Sequence, residues 1–114
     1  MAFAIFYTHE FKRDLRKLNK KYPSLRKDLD AFIQTLNAGE LLGDLIPQIS
    51  YPVYKVRIKN SDNNKGKSAG YRIIYYVQIP DSVVLITLYS KSEQGDISTK
   101  ALCDIIQNNP ILFN

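Results

Sequence analysis

The sequence predicts an α+β fold: an N-terminal strand and a helical hairpin packed on a mainly antiparallel sheet, with a three-stranded meander and a C-terminal helix. Two observations lead to this fold class. Apolar side chains recur at helical spacing across residues 8–38 and again near the C-terminus, whereas they alternate with a period of two across residues 53–90. Helices and strands segregated in this way are typical of α+β proteins. With 114 residues and 45% hydrophobic content, residues 1–114 are expected to form one domain.

The first third of the chain predicts a strand followed by two helices. Phe3–Tyr7 is short and apolar, which suits a strand, and Thr8 can cap the helix that follows. Four apolar side chains then recur at helical spacing: Phe11, Leu15, Leu18 and Tyr22. A Pro-Ser pair marks a tight turn into the second helix, whose apolar face runs through Leu25–Leu36 and which Gly39 is expected to end.

The rest of the chain predicts the meander and a last helix. Three strands with alternating patterns are expected: Val53–Lys59, Tyr71–Ile79 and Val83–Ser90. The weakly patterned residues 39–52 read as an ordered connector. Ile97–Gln107 predicts the last helix, with Asp96 or Ser98 as its cap. All helices are expected on one face of the sheet, which leaves the other face open for a functional site.

Positive charge is concentrated in the middle third of the chain. Residues 55–91 carry seven basic and two acidic side chains, whereas the whole protein has 16 basic and 11 acidic ones. A localised basic surface is the electrostatic signature of a polyanionic partner, most often a nucleic acid. No apolar run approaches the roughly 20 residues that span a bilayer, and no secretory leader pattern is visible, so we expect a cytoplasmic protein with no membrane partner.

Three cations fall on one face of the first meander strand: Lys55, Arg57 and Lys59. Side chains two residues apart on a strand lie about 6.5–7 Å apart, which lets such a triplet follow an RNA backbone. Arg72 opens the most apolar strand and is expected to face the polar, solvated side of the sheet.

The residues available for chemistry in this region are cations. The chain has a single histidine, His9, and a single cysteine, Cys103, and its acids form no paired-carboxylate site, so neither a metal nor a cofactor is expected. RNA cleavage requires removal of a 2′-hydroxyl proton and stabilisation of a negatively charged phosphorane. Neighbouring cations disfavour one another's positive charge, which makes Lys55 the candidate general base, while Arg57 and Arg72 would hold the phosphorane.

Three motifs in the second half of the chain resemble the RelE/HigB group of the RelE/ParE toxin superfamily: YKVRIK, GYRIIYYV and ITLYSKSEQGDIS. The helical hairpin and the meander fit the fold of that group as well. The resemblance implies the toxin of a type II toxin–antitoxin module, which enters the ribosomal A site and cleaves mRNA. It implies the ribosome and mRNA as partners, together with a cognate antitoxin that is expected to be a helix-turn-helix DNA-binding protein.

The resemblance also implies the residues of the site. The basic positions of the family correspond here to the candidate catalytic residues Lys55, Arg57, Arg72 and Lys91. The stretch KSEQGDIST lacks the additional arginine and the base-stacking tyrosine of RelE, so Tyr71 or Tyr89 is the candidate for stacking on a base. The remaining candidates for RNA contact are Lys59, Lys65 and Lys67.

Two other functions stay open at this point. The first is a ParE-like inhibitor of DNA gyrase on the same fold, although ParE members generally lack the basic triplet. The second is an RNA-binding module without catalysis, for which the charge distribution alone would suffice.

Overall fold

A mixed five-stranded sheet carries helices on both of its faces in the computed structural model, which describes residues 3–63, 69–78 and 81–113. The elements in chain order are β1 (Ala4–Tyr7), α1 (His9–Lys21), α2 (Leu25–Asn37), β2 (Asp44–Leu45), β3 (Val53–Ile58), β4 (Tyr71–Gln78), β5 (Ser82–Ser90), α3 (Thr99–Asn108) and a short 3-10 helix (Pro110–Leu112). The strand order is β1-β5-β4-β3-β2; β1 and β5 run parallel and the other neighbours antiparallel. The predicted α+β fold is confirmed. Within the described ranges, no helix combines the length and apolar character needed to cross a membrane.

The two N-terminal helices begin and end as the sequence predicts. Thr8 caps α1, because its Oγ1 accepts a hydrogen bond from the backbone N–H of Phe11 at 2.9 Å. α2 ends at Asn37, and Gly39 follows in the left-handed region with a φ of 90°. Both helices pack their apolar sides on one face of the sheet, in a core that includes Phe11, Leu25, Phe32, Val56, Ile73 and Leu85.

The other face of the sheet is also covered, which corrects the expectation that it stays open. α3 packs against it through Leu102 and Ile106. The sheet contributes to this second core chiefly through Val53, Ile74, Tyr76, Val84 and Ile86. The reason lies in β4 and β5, which are apolar on both faces and therefore need cover on both. The candidate cations lie at the margin of this second core.

A short strand, β2, lies inside the stretch that the sequence predicts as a connector. Its two residues pair with β3 beside Lys55. The close approach depends on Gly43, which has a φ of 94° and at which an added Cβ would lie closer than 3.0 Å to the carbonyl oxygen of Lys55. Two residues are too few to give a recognisable alternation. The predicted end of β4 at Ile79 lies outside the described residues.

Two carboxylates of α1 fix the elements around that helix. Glu10 accepts a hydrogen bond from the side-chain amide of Asn109 at 2.8 Å, which joins the start of α1 to the end of α3. Asp14 accepts hydrogen bonds from the Thr87 hydroxyl at 2.8 Å and from the backbone N–H of Leu88 at 3.2 Å. These contacts lie beside the irregularity in the β4–β5 pairing and hold β5 against α1.

Candidate active site

A row of three side chains crosses the middle strands on the face that α3 covers. Arg57 of β3 lies opposite Arg72 of β4, and Arg72 in turn lies opposite Tyr89 of β5. Lys55 precedes Arg57 by two residues and therefore lies on the same face, and Lys91 immediately follows the end of β5. Of the four predicted catalytic cations, Lys55, Arg57 and Arg72 thus lie on one face of β3 and β4, and Lys91 follows the end of β5.

A carboxylate lies among these cations. Asp96 Oδ1 is 3.0 Å from Lys91 Nζ and 3.6 Å from Lys55 Nζ. The hydrogen bond from Lys91 and the positive charge of Lys55 hold the pKa of Asp96 below its ordinary value of 3.8. The cluster therefore contains a negative charge, whereas the prediction of Lys55 as general base considered only neighbouring cations.

Sequence reasoning missed Asp96 as a site residue because it treated Asp96 and Ser98 as alternative caps of α3. In the structure Ser98 is the cap, since its Oγ accepts the backbone N–H of Ala101 at 3.1 Å. The Asp96 side chain is thereby left to face the lysines. The available signal was an acid that closely follows Lys91 just after a predicted strand, in a chain with more basic than acidic side chains.

The segment that carries Asp96 is fixed on both sides. Before it, Glu93 accepts a hydrogen bond from the Tyr22 hydroxyl at 2.9 Å and pairs with a lysine of α1. After it, the backbone N–H of Ile97 donates to the Tyr89 hydroxyl at 3.4 Å. These two anchors place the carboxylate at the cation cluster.

Arg72 is buried, which corrects the expectation of a solvated side chain. It is 4% exposed, and its Nη1 donates a hydrogen bond to the carbonyl oxygen of Tyr71 at 3.4 Å. The expectation failed because α3 and the segment before it cover this face of the sheet. Solvent screens the charge of a buried guanidinium less than that of an exposed one, so its electrostatic interaction with neighbouring groups is stronger.

The two tyrosines predicted to stack on a base are also buried, which corrects that prediction. Tyr71 is 0% exposed and packs edge-on against Tyr22 in the core beneath α1 and α2. Tyr89 is 4% exposed in the core beneath α3. Burial raises the pKa of the Tyr89 hydroxyl, and the charge of Asp96 adds to this effect while that of Arg72 opposes it. Neither ring presents a face on which a base could stack.

The predicted RNA-binding lysines have different outcomes. Lys59 lies just beyond β3 and is exposed. It lines a cleft against α2 at the edge of the sheet, where β2 no longer pairs with β3 and Arg57 borders both faces. Lys65 and Lys67 lie outside the described residues, so their contact with RNA stays a prediction.

A cleft of about 280 Å³ opens beside Lys55. It lies between the β2 region and the start of α3, and its lining mixes polar and apolar side chains: Asp44, Gln48, Ile74, Ile97, Thr99 and Leu102. A ligand held by Lys55 therefore has space beside it for a neighbouring group.

The other residues with catalytic potential lie apart from the cations. His9 is exposed at the start of α1, and Cys103 is partly buried on α3 against the second core. Within the part of the chain that the structure describes, no three His, Cys, Asp or Glu side chains are grouped so that they could hold a metal ion.

The comparison with protein families covers most of the chain. The family model described as the ParE toxin of type II toxin–antitoxin system, parDE, matches residues 5–95. The chain belongs to this family. It is therefore the toxin of a type II toxin–antitoxin system, and the family implies an antitoxin as its partner. No curated protein matches this toxin.

The family match extends from β1 to the residue before Asp96. The strands that carry the four cations lie within the matched region, whereas Asp96 and α3 lie beyond it. The match supports the superfamily expected from the motifs. The matched family is ParE, whereas the motifs resemble the RelE/HigB group.

Proposed function

We propose that this toxin is a ribosome-dependent endoribonuclease that cleaves translated mRNA. The observation that carries the proposal is the position of Arg57 directly opposite Arg72 on two antiparallel strands. Like charges directly opposite each other destabilise a sheet. An anionic ligand between them offsets this repulsion, and guanidinium groups match the oxygens of a phosphodiester in geometry as well as in charge.

The cations have distinct roles in the proposed reaction. Lys55, once it has lost its own proton to solvent, takes the proton from the 2′-hydroxyl, and the 2′-oxygen attacks the adjacent phosphorus. Arg57 and Arg72 stabilise the additional negative charge of the phosphorane. The bond to the 5′-oxygen then breaks, and that oxygen takes a proton from Lys91 or from water. The upstream fragment therefore ends in a 2′,3′-cyclic phosphate.

In this scheme the ribosome contributes the orientation of the substrate. The site has no pair of histidines, and both candidate stacking tyrosines are buried, so the protein has few means of arranging a flexible RNA by itself. Orientation of reacting groups is worth as much as about 7–11 kcal/mol. An mRNA already held in line in the A site would supply that contribution, and the purified toxin should cut free RNA poorly.

The proposal is tested by primer extension on a reporter mRNA after brief induction of the toxin. New 5′ ends are expected inside the translated frame, and they should disappear when the start codon is removed. The upstream fragments should carry cyclic phosphate or 3′-phosphate ends. Fragments with 3′-hydroxyl ends would contradict the proposed attack by the 2′-oxygen.

The family match favours a second candidate function, the inhibition of DNA gyrase. A gyrase supercoiling assay beside the primer-extension map separates the two. Intact mRNA together with trapped gyrase–DNA complexes would select the gyrase inhibitor. Binding to ribosomes with neither new mRNA ends nor an effect on gyrase would select the non-catalytic RNA-binding module.

A further inference from the structure

We propose that the Asp96 carboxylate occupies a phosphate subsite formed by Lys55 and Lys91, and that a nucleic-acid phosphate binds there by displacing it. The inference deepens the proposed function, on which its biological meaning rests, because it identifies the subsite and the group that blocks it. Asp96 acts here as an internal competitor of the ligand.

The geometry is that of an occupied anion site. A single oxygen, Asp96 Oδ1, lies within 3.0 Å of Lys91 Nζ and 3.6 Å of Lys55 Nζ, although the two lysines come from different strands. One oxygen shared by two ammonium groups is also the arrangement that a phosphate oxygen adopts with lysines. The buried Arg72 and Tyr89 lie on the same face next to this cluster.

The occupant can leave without disturbing the fold. The Asp96 side chain is 57% exposed, and those of Lys55 and Lys91 are 35% and 32% exposed. Exposed ion pairs contribute little to stability, so rotation of one surface side chain empties the subsite. A phosphodiester can then contact both ammonium groups.

Within the fold, this carboxylate interacts with the hydroxyl of the buried Tyr89. The helix cap beside it is provided by Ser98, and the ion pairs that the structure gives Asp96 are both with lysines of the cluster. α3 offers a matched comparison in Asp104, an exposed acid that pairs with Lys100 at 3.2 Å. Asp96 and Asp104 thus make similar lysine contacts, but only the former contacts the candidate site residues.

The test compares Asp96→Asn with Asp104→Asn and the wild type. Each substitution removes one negative charge, so a general electrostatic effect on binding is the same in both. The probe is a short single-stranded DNA oligonucleotide, which has the phosphate backbone but lacks the 2′-hydroxyl needed for cleavage, and its Kd is measured by fluorescence anisotropy at fixed salt. We expect Asp96→Asn to bind up to about fivefold more tightly than Asp104→Asn, the range of one released surface ion pair.

A second measurement locates the effect. Inorganic phosphate is titrated into each isotope-labelled protein while the backbone amides of Lys91 and Ile97, on either side of Asp96, are followed by NMR. These resonances should shift at lower phosphate concentration in Asp96→Asn than in Asp104→Asn. Equal affinities for the oligonucleotide in the two variants, or weaker binding by Asp96→Asn, would overturn the proposal.

The two hypotheses can fail separately. The oligonucleotide and phosphate measurements require no cleavage, so a gain in Asp96→Asn supports the subsite even if primer extension shows intact mRNA. Conversely, cleaved mRNA without a gain in Asp96→Asn would support the nuclease and reject Asp96 as a competitor.

Discussion

Arg57 and Arg72 lie directly opposite each other on neighbouring strands but in different environments. Arg57 is exposed, whereas Arg72 is 4% exposed. Substitutions at these two positions therefore separate a contribution to the reaction from a contribution to the fold.

Arg57→Ala is expected to abolish growth inhibition while leaving the fold intact. The side chain is exposed, so its truncation removes little packing. Loss of one charge-assisted contact to a transition state typically costs about 2.7–4 kcal/mol, or ~10²–10³ in rate. The measurements are colony formation after induction and cleavage of the reporter mRNA.

Arg26→Ala is the matched control for Arg57→Ala. Arg26 is an exposed arginine near the start of α2, beneath the opposite face of the sheet. The Arg26→Ala variant should be about as toxic as the wild type. Full toxicity in Arg57→Ala with an unchanged thermal unfolding curve would remove Arg57 from the site.

Arg72→Ala is expected to lose stability as well as toxicity. The sequence alone suggests a solvated side chain, but the buried guanidinium and its hydrogen bond to the Tyr71 carbonyl predict a loss of roughly 1–3 kcal/mol. Arg72→Lys keeps the charge and loses the planar fork. A folded but inactive Arg72→Lys would assign the fork to the reaction, and an active one would show that charge suffices.

Gly70→Ala is expected to destabilise the strands that carry the site. A Cβ at Gly70 would lie closer than 3.0 Å to the carbonyl oxygen of Ile58, where β3 and β4 pair. Overpacking of this kind costs about 1–3 kcal/mol. Gly95→Ala is the control, because a Cβ there meets no atom within 4 Å. Urea denaturation should give a lower midpoint for Gly70→Ala alone; equal midpoints would show that the β3–β4 contact relaxes freely.

Asp14 is expected to make the stability depend on pH. Burial raises its pKa above the ordinary 3.8, against the lowering effect of hydrogen bonds from Thr87 and Leu88. At pH values between the pKa of Asp14 in the unfolded state and its higher pKa in the folded state, the folded state binds more protons. The contribution of Asp14 to the free energy of unfolding therefore falls as the pH rises through this window. Asp14→Asn removes the fall, and its stability relative to the wild type should increase from acid to neutral pH.

The measurement for Asp14 is a series of urea denaturation curves across that pH range. Asp96→Asn gives the contrast, because the pKa of Asp96 is lowered and any change in relative stability should have the opposite sign. A relative stability of Asp14→Asn that does not change with pH would mean that the carboxyl titrates alike in the folded and unfolded states.

The elements that the sequence predicts correctly depend on local patterns. The cap at Thr8 and the end of α2 near Gly39 each follow from a few consecutive residues and their backbone preferences. The strands of the meander follow from alternation, which places Lys55 and Arg57 on one face. The strand signals therefore locate four of the five strands and place Lys55, Arg57 and Arg72 on neighbouring strands.

The features that the sequence does not predict depend on contacts between distant segments. The burial of Arg72 and Tyr89 depends on which face α3 covers, and the helical period of α3 does not determine that face. The position of Asp96 depends on anchors from α1 and β5 that no local pattern contains. An inventory of cations therefore locates the site but misses its counter-charge.

The parallel pairing of β1 with β5 has a consequence for the synthesis of this toxin. Ala4 pairs with Ser82 and Tyr7 with Leu85, so the first strand lacks its partner until most of the chain has been made. Contacts between residues so far apart in the sequence form late, and they lower the folding rate. At about 5–20 residues per second, translation leaves the nascent chain without a complete sheet for several seconds. The finished sheet of this toxin therefore forms only after β5 has been made, near the end of synthesis.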